Sequence, residues 1–372
     1  MTTPNFAIAS EQLAPSKGVM SPLIGVELFC GAGGLSCGAE QAGVTVSTAI
    51  DVARPATRTF QTNHPHSRVV CDDIRTLQAD AFSTGSAPTV VFGGPPCQGF
   101  STSNQKTRSL NNEGNWLFKE FLRFVETIDP IAVVFENVSG ITHTAQGFFE
   151  AELKRSLVDL GYEVSSFLLD ASQVGVPQKR TRYFCVAAKG KKIVIPTSNG
   201  SIAVTVEDAI GDLPSLQVGD NFNELPYATL PKSEYAAALR GNSAECDGHL
   251  VTRNAEHIVE RYKFVPQGGN WADIPDHMMS TYRNVKRCHT GIYRRLRNDE
   301  PSIVLGNFRK NMLIHPTQDR GLSVREAARI QSFPDSYSFS GSIGQQQQQV
   351  GNAVPPLLAR HVFTHLLQQL GI

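Results

Sequence analysis

Glu27-Leu28-Phe29-Cys30-Gly31-Ala32-Gly33-Gly34-Leu35 decides the fold class, because a glycine-rich turn there follows the apolar run Gly25 to Phe29 and opens a helix. Glycines at such a turn let the backbone approach a ligand, and the first amides of the following helix point at it. Many α/β domains place glycine there for packing alone, so the turn gains meaning only from its surroundings. Outward from it, short apolar runs recur at Thr45 to Ile50, Arg68 to Cys71, Thr89 to Phe92, Ile131 to Phe135, Glu163 to Leu169 and Arg182 to Ala187. Between Trp116 and Ile128 the residues Phe118, Phe121, Leu122, Val125 and Ile128 recur at helical spacing, and Pro130 marks the turn into the next strand. Strands alternating with amphipathic helices predict an α/β fold, a mainly parallel sheet covered on both faces.

After about Gly190 the rhythm breaks, with frequent Pro, Gly and Asn and few Val or Ile runs, which predicts a second region. Helical patterns return at Ser323 to Ser332 and at Pro356 to Leu370, the latter amphipathic enough to dock on the first domain. Five consecutive glutamines, Gln345 to Gln349, predict a short solvated helix or a hinge.

The chain has 372 residues, 41% hydrophobic and 18% charged, with Lys+Arg 34 against Asp+Glu 34 and a formal net charge of +0. That composition is soluble and globular, and any nucleic-acid binding must come from a local basic patch. Seven scattered cysteines without a C-x-x-C spacing argue against a disulfide framework or a structural zinc and place the chain in a reducing cytoplasm. Residues 1–20 carry no signal-peptide pattern and are expected to form a flexible leader; no apolar stretch is long enough to span a bilayer.

Gly93-Gly94-Pro95-Pro96-Cys97-Gln98-Gly99-Phe100-Ser101 follows the strand Thr89 to Phe92. Prolines stiffen the approach and glycines flank it, so Cys97 is expected at the carboxyl edge of the sheet as a nucleophile, where open α/β folds bind ligands. Glu136, in Phe135-Glu136-Asn137-Val138, falls at the same edge, giving a nucleophile-plus-acid pair unless it merely caps the next turn. Asp51 ends the second strand, suited to accept from ribose hydroxyls, and Asp73 lies just past the third, suited to accept from an adenine amino group; either alone is more often a solvated loop acid.

With these segments the chain resembles the DNA (cytosine-5)-methyltransferase family, from about Gly25 to the C-terminus, weakening only after Gly190. PPCQGFS, ENV, QKRTR (Gln178 to Arg182), VREAARIQSFPD (Val324 to Asp335) and QVGNAVPP (Gln349 to Pro356) occur in the family's order. The resemblance implies a Rossmann-like S-adenosylmethionine-dependent methyltransferase sheet with a smaller, irregular target-recognition domain inserted before the last helix. It divides the chain into a catalytic and cofactor-binding domain at 21–190, a target-recognition domain at 191–320 and a hinge and return segment at 321–372.

It further implies that Cys97 adds to C6 of a cytosine, that Glu136 donates to the ring N3 and that Arg182 lies near the base O2 with Arg180 in support. S-adenosylmethionine would be held by Phe29, Gly31, Gly33, Gly34, Leu35, Asp51, Asp73 and Ile74, with Asn352 and Ala353 closing the pocket; no metal is called for. Glu27 stands where the family usually has Asp, and Val52 follows the ribose acid where an aromatic is common, which predicts weaker adenine stacking. The thiolate must reach the face of the ring, so the base must flip out of the duplex, and Ser101 to Gly114 is the expected closing loop.

Arg283, Lys286, Arg287, Arg294, Arg295, Arg297, Arg309 and Lys310 form a basic cluster opposed only by Asp299 and Glu300. Such a cluster is usually a solvated face, but in a neutral chain it is the best candidate for contacts to double-stranded DNA. Ser101, Arg283, Arg287, Arg294 and Arg295 are the expected DNA-binding residues, and Tyr282, Asn284, His289 and Tyr293 candidate groove readers. Family likeness points to a stand-alone, monomeric bacterial modification enzyme, cytoplasmic and nucleoid-associated, paired with a restriction endonuclease. Competing readings are methylation of an exocyclic amine, which needs no thiol, the tRNA-methylating branch, whose recognition region is shorter, and an inert DNA binder. A phosphatase-type cysteine is excluded because Ser103, not Arg, stands six positions after Cys97.

Overall fold

The computed structural model describes residues 22–96, 116–200, 202–280, 289–306 and 308–372. The expected leader, Cys97, Ser101 and the loop to Gly114, and Tyr282, Arg283, Asn284, Lys286 and Arg287 lie outside the described residues. The first half runs β1 (Ile24–Leu28), α1 (Gly34–Ala42), β2 (Thr45–Asp51), α2 (Arg54–Asn63), β3 (Arg68–Cys71), β4 (Thr89–Gly93), α3 (Leu117–Ile128), β5 (Ala132–Val138), α4 (Phe148–Asp159), β6 (Tyr162–Asp170) and β7 (Thr181–Lys189). The second half runs α5 (Val206–Ile210), β8 (Asn221–Pro226), α6 (Glu234–Arg240), β9 (Glu245–Leu250), α7 (Glu256–Tyr262), α8 (Phe308–Asn311), α9 (Val324–Ile330), α10 (Ile343–Asn352) and α11 (Pro356–Leu370).

Seven strands form one sheet in the order β3-β2-β1-β4-β5-β7-β6. The pairs among β1 to β5 are parallel, and β7 runs antiparallel to both β5 and β6. Side chains alternate across the sheet, so Val90 and Phe92 enter one core with α1 and α11, while Val91 enters the other with α3 and α4. Helix α11 docks as its pattern predicts, burying Leu358, Val362, Phe363 and Leu366, each contributing roughly 1.5–3 kcal/mol. Gly38 sets the approach: a Cβ there would stand 2.3 Å from the Pro356 carbonyl oxygen and 2.5 Å from Ala359 Cβ, so α1 meets α11 backbone to backbone.

Past Gly190 the described residues hold short helices, the two-stranded β8–β9 sheet and two further cores. One core joins α5, α9 and α10; beside it the Arg329 guanidinium, fully buried, bonds Asp335 at 2.6 and 2.7 Å, Asp212 at 3.0 and 3.3 Å and the Ala209 carbonyl at 2.9 Å. Burial opposes these charges, but the Asp335 and Asp212 carboxylates hold Arg329 above its usual pKa, and Arg329 in turn holds Asp335 below the usual carboxylate range.

The glutamine tract departs from expectation. It is helical, within α10, but one face is buried rather than solvated. Gln349 accepts from Thr59 Oγ1 at 2.6 Å and donates to Ser340 O at 2.9 Å, and Gln347 donates to Thr252 Oγ1 at 2.8 Å. Gln345 serves at the helix start, accepting from the Ser342 amide at 2.8 Å. Side-chain amides satisfy both one another's neighbours and the backbone here, a role composition alone does not reveal.

Candidate active site

The glycine turn leaves β1 through residues in the left-handed region, Phe29 (φ 57°), Gly31 (φ 53°) and Gly33 (φ 87°). Such a backbone persists only where the surroundings fix it. Gly31 donates its amide to Asp51 Oδ2 at 2.9 Å, and the Ala53 amide donates to Asp51 Oδ1 at 2.8 Å. Burial pushes the Asp51 carboxyl up, and these amides pull it back down. A Cβ on Gly31 would meet nothing within 4 Å, so this glycine faces open space beside a carboxylate.

Gly33 and Gly34 serve packing instead. A Cβ on Gly33 would stand 2.5 Å from the Tyr337 hydroxyl, and one on Gly34 would stand 2.3 Å from the Val354 carbonyl oxygen. Leu35 is buried in the core with α11, and Glu27 is buried against Ser36 Oγ, its carboxyl pushed far above the usual range by burial. Asp73 is occupied by its neighbour: Arg75 donates to it at 2.6 to 3.0 Å, which lowers its pKa to about 2. Ile74 is buried, with its carbonyl accepting from Arg123 at 2.8 Å, and Val52 beside Asp51 is 70% exposed. Asn352 is exposed at the end of α10, and Ala353 is half-buried beside it.

At the neighbouring edge, β4 ends at Gly93 and Gly94-Pro95-Pro96 lead toward position 97. Asn137 Nδ2 donates to the Pro95 carbonyl at 3.3 Å, tying that approach to the end of β5. Gly94 is where the two strands crowd, since a Cβ there would stand 2.6 Å from Glu136 Oε2. Register between β5 and β7 places Val138 opposite Arg182, and Arg182 Nε reaches Glu136 Oε1 at 3.1 Å. Burial raises the Glu136 pKa, while Arg182 and then Arg180 oppose the rise. Arg180 itself is fully buried and bonds the Gly351 and Ala353 carbonyls, both at 3.0 Å, so its direct contacts anchor the return segment beneath the acid.

Two expectations for the basic cluster fail on burial. Arg295 is buried, and its guanidinium donates to the Val265, His315, Gln318 and Tyr262 carbonyls and to Asp319, which leaves no free donor for a phosphate. Tyr293 is fully buried and accepts from Arg261 at 2.8 Å, so it packs a core instead of reading a groove. Arg294, bonded to the Gly268 carbonyl, lines an open cleft of about 450 Å³ with Gln267, Gly268, Arg297, Asp299 and Glu300. Arg309, Lys310 and His289 are exposed. Sequence reading did not single out His64 and Tyr337, both buried against the glycine turn; no motif spacing marks them.

The sheet order, with β7 reversed beside β5, defines a Rossmann-like fold of the S-adenosylmethionine-dependent methyltransferase class. A solved structure described as a DNA modification methyltransferase encoded within an E. coli prophage superposes with a TM-score of 0.78 at 27% identity, covering 94% of this chain and 100% of that one. The family model for C-5 cytosine-specific DNA methylase matches residues 24–368, and the chain belongs to that family. It is 35% identical over 349 residues to the type II methyltransferase M1.HphI of Haemophilus parahaemolyticus, covering 92% of this chain and 86% of that protein. It is 35% identical over 417 residues to M.AgeI of Thalassovita gelatinovora, covering 90% of this chain and 97% of that protein. The chain is therefore a DNA (cytosine-5)-methyltransferase, which sets aside the exocyclic-amine, tRNA and inert-binder alternatives. Among the described residues no helix is long and apolar enough to cross a membrane, and no group of three or more His, Cys, Asp or Glu side chains is placed to hold a metal.

Proposed function

We propose that the chain methylates C5 of a cytosine flipped out of a specific double-stranded DNA sequence, with Cys97 as the covalent nucleophile. The observation that carries this reading is the buried Glu136 carboxyl, pushed up by burial and held 3.1 Å from Arg182, at the edge where Gly94-Pro95-Pro96 approach position 97. The Cys97 sulfur bonds to C6 while Glu136 donates to N3, so electron density gathers at C5, which is otherwise a poor nucleophile. Arg182 steadies the carboxyl and lies toward the base O2. Once C5 has taken up the methyl group, loss of the C5 proton to water, return of the N3 proton to Glu136 and expulsion of the Cys97 thiolate restore the ring.

S-adenosylmethionine, when bound, supplies an electrophilic methyl group. The residues present fit it: Gly31 opens onto free space next to the Asp51 carboxylate, which suits ribose hydroxyls. Phe29, Asp73, Ile74, Asn352 and Ala353 border the same edge, whereas Gly33, Gly34 and Leu35 contribute by holding the turn in place. The 191–320 region reads the DNA, with Arg283, Arg287 and Arg294 as its phosphate or base contacts, Ser101 adding one from the loop after Cys97, and 321–372 as the return segment. The enzyme acts as a monomer and protects DNA from a cognate endonuclease, a reading that rests on similarity to type II methyltransferases.

Cys97→Ser is expected to abolish turnover while DNA binding persists, and a duplex with 5-fluorocytosine at the target should trap the wild-type protein covalently, since fluorine does not leave as a proton does. Full turnover by Cys97→Ser in a cell-free methyl-transfer assay refutes the adduct.

A further inference from the structure

Tyr337 lies between α9 and α10, and its hydroxyl donates to the Ala32 carbonyl of the glycine turn at 2.5 Å. The same oxygen is 3.0 Å from His64 Nε2, and His64 Nδ1 is 2.8 Å from Glu40 Oε2. The single hydroxyl proton is committed to Ala32, so the Tyr337 oxygen accepts from His64. His64 and Tyr337 are both buried, and the side chain of Gly33 is missing where they meet: a Cβ there would stand 2.5 Å from the hydroxyl and 2.9 Å from His64 Nε2.

The hydroxyl proton goes to the turn. The Tyr337 ring packs against Phe333 and Phe339, with centroids 4.8 and 5.6 Å away, so the ring would keep its place without the oxygen. The Ala32–Gly33 peptide is held on its other side by the Gly33 amide, which donates to Cys30 O at 2.9 Å. Between these bonds and the Gly31 bond to Asp51, the left-handed residues of the turn have one arrangement.

We propose that Tyr337, oriented by His64 and Glu40, is a positioning residue for the methyl donor: it fixes the Ala32–Gly33 peptide so that Gly31 and Asp51 present a preformed site. This rests on the reading of the turn as the donor site. A preformed loop avoids an ordering cost on binding, and an unpaired Ala32 carbonyl adds to that cost.

The test is calorimetric titration of S-adenosylhomocysteine into DNA-free protein, beside steady-state methylation. Tyr337→Phe is expected to raise the dissociation constant about tenfold: in the free variant the turn relaxes so that water reaches the Ala32 carbonyl, and binding must then bury that acceptor unpaired. The donor KM should rise in step while the DNA KM stays within about twofold and donor-free melting holds. Glu40→Ala should weaken binding, and Glu40→Gln, which keeps a hydrogen-bonding side chain beside His64 Nδ1, should recover it. Wild-type affinity in Tyr337→Phe overturns the proposal, as does an equal loss in donor KM, DNA KM and melting temperature, which marks a general structural role. Asp51→Ala separates the two levels: if it binds the donor product normally, the reading of the turn fails, and if it alone weakens binding, only the Tyr337 relay fails.

Discussion

Arg329→Met is expected to destabilise the fold by about 3 kcal/mol at pH 7.5, the low end for removing one partner of a buried ion pair. The variant deletes the bonds to Asp335, Asp212 and the Ala209 carbonyl while leaving two fully buried carboxylates behind. Residual partners limit the loss: Tyr227 still donates to Asp335 at 2.6 Å, Arg325 stands 3.7 Å from Asp335, and Arg240 stands 3.7 Å from Asp212. The sign of the pH dependence follows from Asp335, whose folded pKa lies below the usual range. In the wild type its stabilisation is complete above the unfolded carboxylate range and is lost only as pH falls through the lower folded value. In the variant the same carboxylates lack their cation and take up a proton more readily, so the deficit should shrink between pH 7.5 and pH 5.5. Urea unfolding at both pH values, with Asp212→Asn added to Arg329→Met as a partial rescue, measures this. A loss below about 1 kcal/mol at pH 7.5, or a deficit that does not shrink on acidification, refutes the view of Arg329 as a hub pairing buried charges.

Glu136→Gln should lower the methyl-transfer rate about 10²- to 10³-fold with donor and DNA binding largely kept, the usual contribution of a general acid. Because burial raises the Glu136 pKa, the wild-type rate should fall on the alkaline side as that carboxyl ionises, and the Gln variant should lack this limb; a limb that survives assigns it to another group. Val52→Trp supplies a ring at an exposed position beside Asp51 and should tighten S-adenosylhomocysteine binding about 3- to 10-fold by calorimetry, the worth of one stacking contact. Equal or weaker affinity places the adenine elsewhere.

The sheet was legible because a strand buried on both faces needs a continuous run of apolar residues, whether parallel as at Val133-Val134-Phe135 or antiparallel as at Phe184-Cys185-Val186. Glu136 falls at the carboxyl edge by that same logic; Arg182 is placed beside it only by the family resemblance, since a parallel strand beginning there would put it at the opposite edge, and it is the antiparallel β5–β7 register that brings the two together. Burial of charged residues was not legible. Arg295 reads as one of a basic cluster, yet its destination is set by four carbonyls drawn from Tyr262, Val265, His315 and Gln318, far apart in the chain. Tyr293 was misplaced for the same reason, since a polar tip in sequence does not announce its partner Arg261. The glycine turn was found, but sequence does not separate Gly31, which faces open space, from Gly33 and Gly34, which make room for Tyr337 and Val354.

The half-buried glutamine helix constrains how this gene can drift. Repeats of one amino acid tend to gain and lose units, and a solvated tract would absorb the change. Here each inserted residue turns everything after it by about 100°. The position facing Thr59 would still carry a glutamine, but a sixth glutamine would take the fully buried place of Val350, and valine that of Gly351, whose Cβ position lies 2.0 Å from the Gly306 carbonyl oxygen. A backbone displaced to relieve that contact would move the carbonyls that accept from Arg180, so a slip in the tract reaches the floor of the catalytic edge.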